Sequence, residues 1–124
     1  MRYVPLMSLM LLALALGQVA FAYGGGKCDT KITEYPDGHY TVTCLPNGCT
    51  GACSIVGVPQ GGHSYSTCSC SGVQIQCNEG SYVDPDLGLI TGCVNPLSCP
   101  TGFCSGHSKH FQDPDRIEDW CTCE

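Results

Sequence analysis

Apolar residues fall into two regimes along this chain. Val4–Leu16 (VPLMSLMLLALAL) is a nearly unbroken apolar run of 13 residues, followed by Gly17-Gln18 and then Ala20-Phe21-Ala22. Beyond that point no segment carries a long 3.6-residue apolar period, and short alternating stretches bounded by turn residues take over. Lys31–Tyr35, Pro36-Asp37-Gly38 and His39–Cys44 read as strand, turn and strand. Proline presets the first turn position, and glycine takes the left-handed position after a type I turn. Ser81–Val83, Asp84-Pro85-Asp86 and Leu87–Thr91 repeat that arrangement. Val73–Cys77 alternates as a further strand, and Asp113–Trp120, with Asp113 as cap and Pro114 at the first position, predicts one short helical turn.

The leading apolar run has the anatomy of a secretory signal peptide over 1–22. Arg2 supplies the positive start and Ala20-Phe21-Ala22 an A-x-A cleavage site. Thirteen apolar residues are too few for a membrane span, which needs about 20. The reading is a protein secreted to the extracellular space or periplasm, without membrane insertion. Residues 23–124 then carry four basic side chains (Lys27, Lys31, Lys109, Arg116) against eleven acids, a formal charge of −7. That balance excludes nucleic acid as a partner, because phosphate recognition draws most of its affinity from basic patches.

Leu, Ile, Val and Phe together make up 17 of those 102 residues. A fraction below ~20% is usually too small to fold around an apolar core. Twelve cysteines, all beyond the cleavage site, supply the compensation as a disulfide framework. Their spacing is internally repeated. Cys28, Cys44, Cys49, Cys53, Cys68 and Cys70 give C-x15-C-x4-C-x3-C-x14-C-x-C. Cys77, Cys93, Cys99, Cys104, Cys121 and Cys123 give C-x15-C-x5-C-x4-C-x16-C-x-C. Cys28-Asp29 aligns with Cys77-Asn78, Pro36-Asp37 with Pro85-Asp86, and Thr67-Cys68-Ser69-Cys70 with Trp120-Cys121-Thr122-Cys123. The prediction is a small disulfide-rich fold, mostly β and loop, in two tandem six-cysteine repeats of short hairpins, 23–72 and 73–124. A shifted frame, Cys44–Cys77, is similar to the epidermal-growth-factor-like pattern. It orphans Cys28 and has no sixth cysteine in the second half, so the frame that begins at Cys28 is preferred.

Candidate chemistry is sparse. His107-x-x-His110 beside Cys104 is the one metal-like cluster, and oxidised cysteines are poor ligands, so no metal and no cofactor is expected. Asp84, Asp86, Asp113, Asp115, Glu118 and Asp119 lack the glycine turn and spacing of a calcium loop, and Asp-Pro reads as a turn signal. No G-x-S-x-G, H-E-x-x-H or C-x-x-C motif is present, and the expectation is a non-enzyme. The two long cysteine gaps, 54–67 and 105–120, differ in length and character while the cysteine frame repeats. They read as binding loops on a rigid frame. Ile55, Val56 and Val58 are the candidates in the first, and Lys109, Phe111, Arg116 and Trp120 in the second. The expected function is non-catalytic recognition of an extracellular protein or glycan. A protease-inhibitor form would use Lys109 or Arg116. A structural matrix component and an extracellular metal binder are the alternatives.

Overall fold

The structure is a computed structural model that describes residues 26–72 and 75–124. The proposed leader at 1–22 and the pair Val73-Gln74 lie outside the described residues. Eight strands follow in order: β1 (Lys27–Glu34), β2 (Tyr40–Asn47), β3 (Cys53–Gln60), β4 (His63–Cys70), β5 (Asn78–Asp84), β6 (Gly88–Val94), β7 (Cys104–Phe111) and β8 (Arg116–Cys123). Consecutive strands pair as four antiparallel hairpins. These assemble into two four-stranded sheets, β2-β1-β8-β7 and β3-β4-β5-β6, here sheets A and B. Each sheet joins one hairpin from each half of the chain. Exchanging β1–β4 with β5–β8 converts the strand order of sheet A into that of sheet B.

The two predicted hairpins form where the turn chemistry places them. Gly38 has φ 92°, its N–H donates to the Tyr35 carbonyl at 3.0 Å, and the Tyr35 N–H donates to the His39 carbonyl at 3.0 Å. In the second hairpin Asp84 accepts from the N–H groups of Asp86 (2.8 Å) and Leu87 (2.9 Å), and Gly88 sits at φ 82°. Three expectations are corrected. The gaps 54–67 and 105–120 are not loops. They are hairpins β3–β4 and β7–β8, paired from Cys53↔Cys70 to Gln60↔His63 and from Cys104↔Cys123 to Phe111↔Arg116. No helical turn forms at Asp113–Trp120, because Asp113 takes a left-handed φ of 57° rather than the extended conformation of an N-cap, and β8 begins at Arg116. Ile75–Cys77 is irregular chain rather than strand.

All twelve cysteines are oxidised. Cys28 pairs with Cys53, Cys44 with Cys68 and Cys49 with Cys70. Cys77 pairs with Cys104, Cys93 with Cys121 and Cys99 with Cys123. Each set of six thus bonds within itself, first to fourth, second to fifth and third to sixth. The two members of each C-x-C go to different partners, as a strained bond between them would not allow. Several of these bonds join sheet to sheet, as Cys28 on β1 does with Cys53 on β3. Sulfur also fills the interior: Cys77, Cys99 and Cys121 are buried together, with Cys93 and Cys104 packed on them.

Little hydrocarbon accompanies the sulfur. Ile32 and Val94 are the largest fully buried side chains, and their neighbours Thr30, Thr67, Ser69 and Asn78 are polar. Buried polar atoms must find partners, and here one amide supplies them. The Asn78 Nδ2 donates to the carbonyls of Cys28 (2.7 Å) and Cys68 (3.1 Å), and its Oδ1 accepts from the Thr30 N–H at 3.3 Å. The Thr67 hydroxyl donates to the Glu79 carbonyl at 2.9 Å, so in the 3.1 Å contact between hydroxyls Thr30 is the donor to Thr67. The Thr30 oxygen in turn accepts from the Cys68 N–H at 2.9 Å. The side chain of Asn78 therefore does between β1 and β4 what a ladder of backbone bonds does elsewhere.

Two buried carboxyl groups, Glu79 and Asp119, lie near a half-buried third, Glu34. Glu34 hydrogen-bonds Asp119, which raises the Glu34 pKa to about 7, with burial and the charges of Asp119 and Glu79 adding to the effect. The Oδ2 of Asp119 is buried without a hydrogen-bond donor. The Ser108 hydroxyl serves the other oxygen. Burial, and then the Asp119 charge, raise Glu79 to about 7 as well, against a hydrogen bond from Thr91. Its Oε2 lies 2.8 Å from Cys121 Sγ, which is bonded to Cys93 and has no proton to give. Lys31 and Arg116 pair instead with Glu118.

Two stability predictions follow from this interior. Asn78→Ala strands three buried backbone groups and is expected to cost about 3 kcal/mol, lowering Tm by more than ~10 °C. Asn47→Ala, which loses only an exposed bond to Asp29, is expected to stay within ~0.5 kcal/mol. Equal losses for the two in denaturant titration would contradict the polar-interior account. The second concerns pH. An acid whose pKa rises on folding favours the folded state fully below its unfolded value near 4.5 and loses that contribution as pH climbs through about 7. Calorimetry is expected to give a higher Tm at pH 5 than at pH 8, with Glu79→Gln raising Tm at pH 8 and flattening the slope. A Tm that climbs from pH 5 to pH 8 would contradict it.

Candidate functional site

In a strand, alternate side chains point to opposite faces, and the cysteines say which face is which. Cys28 and Cys121 point toward the opposite sheet through their disulfides. Lys27, Asp29 and Lys31 on β1, and Arg116, Glu118, Trp120 and Thr122 on β8, therefore point outward from sheet A. The same parity on β7, counted from Cys104, puts His107, Lys109 and Phe111 on that outer face. All four basic side chains of the described residues, which are distant in sequence, thus share one surface of an otherwise acidic molecule.

The outward side chains hold one another. Glu118 is bracketed by Lys31 at 3.3 Å and Arg116 at 3.0 Å. Burial pushes the Glu118 carboxyl up, but the bonds and charges of Arg116 and Lys31 outweigh it and leave the pKa below the ordinary carboxylate value. Lys27 pairs with Asp29 at 3.2 Å. Phe111 lies under two cations, with Lys109 at 5.1 Å and Arg116 at 4.7 Å from its ring centre. His107 stacks on Trp120 with centroids 5.5 Å apart, and its Nε2 meets the Thr122 hydroxyl at 2.7 Å.

The face also contains a cleft. The β1–β8 ladder runs for only three pairs, from Glu34↔Ile117 to Ile32↔Asp119. Beyond Asp119 the strands separate, and the opening, about 290 Å³, is lined by Lys27, Asp29, Lys31, Asn47 and Trp120 among others. Trp120 borders it and also stacks with His107.

Four of the seven predicted binding residues, Lys109, Phe111, Arg116 and Trp120, come together on this face. Ile55, Val56 and Val58 do not. They lie on β3, an edge strand of sheet B, where Ile55 is 54% exposed and the two valines are half-buried. Lys27, Lys31, Asn47 and His107 are additional members of the face. The alternation of Lys27-Cys28-Asp29-Thr30-Lys31 around an inward cysteine contained the signal for three of the positions on β1.

The metal-like pair is split. Residues three apart on a strand face opposite ways, so His107 points outward to Trp120 while His110 meets Asp115. Among the described residues, the groups of three or more potential ligands are cysteine sulfurs only, and every one is in a disulfide. The acids weighed for calcium are dispersed. Asp84 builds its turn, Glu118 pairs with two cations, and Asp119 faces the interior.

No helix among the described residues is long and apolar enough to cross a membrane. No family model, no curated protein and no solved structure matches this chain.

Proposed function

We propose that this is a secreted, two-repeat disulfide protein that binds an extracellular protein or glycan through the outer face of sheet A, without catalysing a reaction. The observation that carries the reading is the gathering of Lys27, Lys31, Lys109 and Arg116 with Trp120, Phe111 and His107 on one surface. Their positions span most of the described chain, and only the pairing of β1 with β8 unites them. Aromatic rings and arginine in partly buried, pre-ordered positions are the residues that carry binding energy at interfaces.

Duplication is supported by the like order of the disulfides in the two sets of six and by the exchange of sheets on swapping the halves. Secretion is supported by six disulfides, which persist in oxidising compartments. The protease-inhibitor form loses its support, because Lys109 and Arg116 lie in paired strand rather than on a convex loop. The thiol metal-binder also loses it, because no thiolate is present.

Screening immobilised protein against extracellular proteins and glycans tests the reading. The double variant Lys109→Ser with Phe111→Ala is expected to weaken capture by about tenfold or more with little change in Tm. Ile55→Ser with Val58→Ser, on the opposite sheet, is expected to leave capture unchanged. Loss with the β3 variant but not the β7 variant would move the site elsewhere, and no capture by the native protein would favour a structural role.

A further inference from the structure

The two halves are alike in cysteine frame and differ most where one of them opens. In the register that aligns Cys28 with Cys77 and Cys68 with Cys121, the cleft residues Asp29, Lys31, Leu45, Trp120 and Thr122 correspond to Asn78, Gly80, Val94, Thr67 and Ser69. Every one of those counterparts is buried. The gap between β4 and β5 is occupied by Thr30 and by the Asn78 carboxamide. Gly80 has no room for a side chain there, since a Cβ would lie 2.8 Å from Val94 and 3.0 Å from Tyr65. At the matching place in sheet A stands a lysine beside an open cleft. Packing in sheet B thus closes what sheet A leaves open.

The chemistry of the cleft selects its ligand. Trp120 offers an aromatic surface at the cleft and stacks with His107. The Asn47 amide donates to Asp29 at 2.9 Å, and Asp29 also pairs with Lys27. Lys31 is held by Glu118. The two lysines are thus matched by two carboxylates, so an anion would have to displace Asp29 or Glu118 from its partner. A hydroxyl group, donor and acceptor at once, can insert among a lysine, a carboxylate and an amide without unpairing any of them. A volume of about 290 Å³ beside an indole suits a sugar ring. Building on the binding face proposed above, we infer that the cleft between Lys27–Lys31 and Trp120 is a subsite for an uncharged pyranose unit of a glycan, stacked on Trp120 and held by Asn47, Asp29 and Lys31.

Trp120 is the single tryptophan of the chain and reports on the cleft directly. The oxidised protein is titrated with cellohexaose, chitohexaose and mannohexaose, and with hexagalacturonate and a heparin hexasaccharide as anionic arms, while indole emission is followed. At least one neutral hexasaccharide is expected to give a saturable change, with Kd altered less than about twofold between roughly 50 and 500 mM NaCl. Asn47→Ala and Asp29→Asn, at an exposed and a half-buried position, are expected to weaken it by about tenfold or more. Silence with all three neutral sugars overturns the inference, as does a response confined to the anionic sugars and abolished by salt. If Phe111 variants disrupt capture of some other ligand while the neutral sugars stay silent, the binding face stands and the sugar subsite falls. If nothing binds in either experiment, both fall.

Discussion

Sulfur takes the place of a hydrocarbon core in this molecule, and the rest of the architecture depends on that substitution. Fully burying Ile32 and Val94 stabilises the fold by about 5 kcal/mol together, far below the conformational entropy lost in ordering this many residues. Each disulfide closes a segment of 21 to 28 residues, which on the chain-entropy account removes about 3 kcal/mol of freedom from the unfolded state. Because the bonds staple sheet to sheet, the interior need not be apolar to stay closed. That tolerance admits Thr30, Thr67, Ser69, Asn78 and even Glu79 and Asp119 between the sheets. An interior of this kind is held by directional bonds, so its stability depends on individual atoms such as the Asn78 amide and on the protonation of its acids.

The strand order adds a second constraint. Neither half of the chain makes a sheet by itself, since each sheet takes one hairpin from residues 27–70 and one from residues 78–123. The disulfides run within halves and the sheets run between them, so covalent and hydrogen-bonded connections cross. The seams where halves meet are short, three pairs at β1–β8 and one at β4–β5. Short seams leave backbone groups and space to be dealt with locally. One seam is filled by Thr30 of the other sheet and by the Asn78 carboxamide, and the other is left as a cleft beside Trp120.

Much of this was legible in the chain. The cysteine intervals anticipated pairing within each set of six, and Pro36-Asp37-Gly38 and Asp84-Pro85-Asp86 marked two turns at their observed places. What escaped was how the long cysteine gaps are built. Ser54–Thr67 has an apolar run, Ile55-Val56-Gly57-Val58, that reads as part of a binding loop. It is a strand, paired with β4 from Cys53↔Cys70 to Gln60↔His63, and its end cysteines are bonded elsewhere, to Cys28 and Cys49. Asp113-Pro114 resembles a helix start, and only the left-handed φ at Asp113 turns it into the tip of a hairpin. The candidate face was half visible. Its β7 and β8 members stood out by residue type, but Lys27 and Lys31 join them through the β1–β8 pairing, a contact across nearly the whole chain that no local pattern encodes.

That pairing also ties the candidate site to the stability of the whole. At Ile32–Glu34, β1 lies against β8 and places Glu34 beside Asp119. At Cys28–Thr30 its backbone bonds instead to the Asn78 side chain, while the Thr30 hydroxyl accepts from the Cys68 N–H on β4. One strand thus serves both sheets over its length, and the cleft opens where it transfers from one to the other. A fuller ladder with β8 would remove the cleft and would also take the Cys28 carbonyl and the Thr30 N–H from Asn78, leaving a buried amide with only its bond to the Cys68 carbonyl. The opening beside Trp120 is therefore kept by the same hydrogen bonds that hold the polar interior together, and a ligand seated there would meet a surface ordered before it arrives.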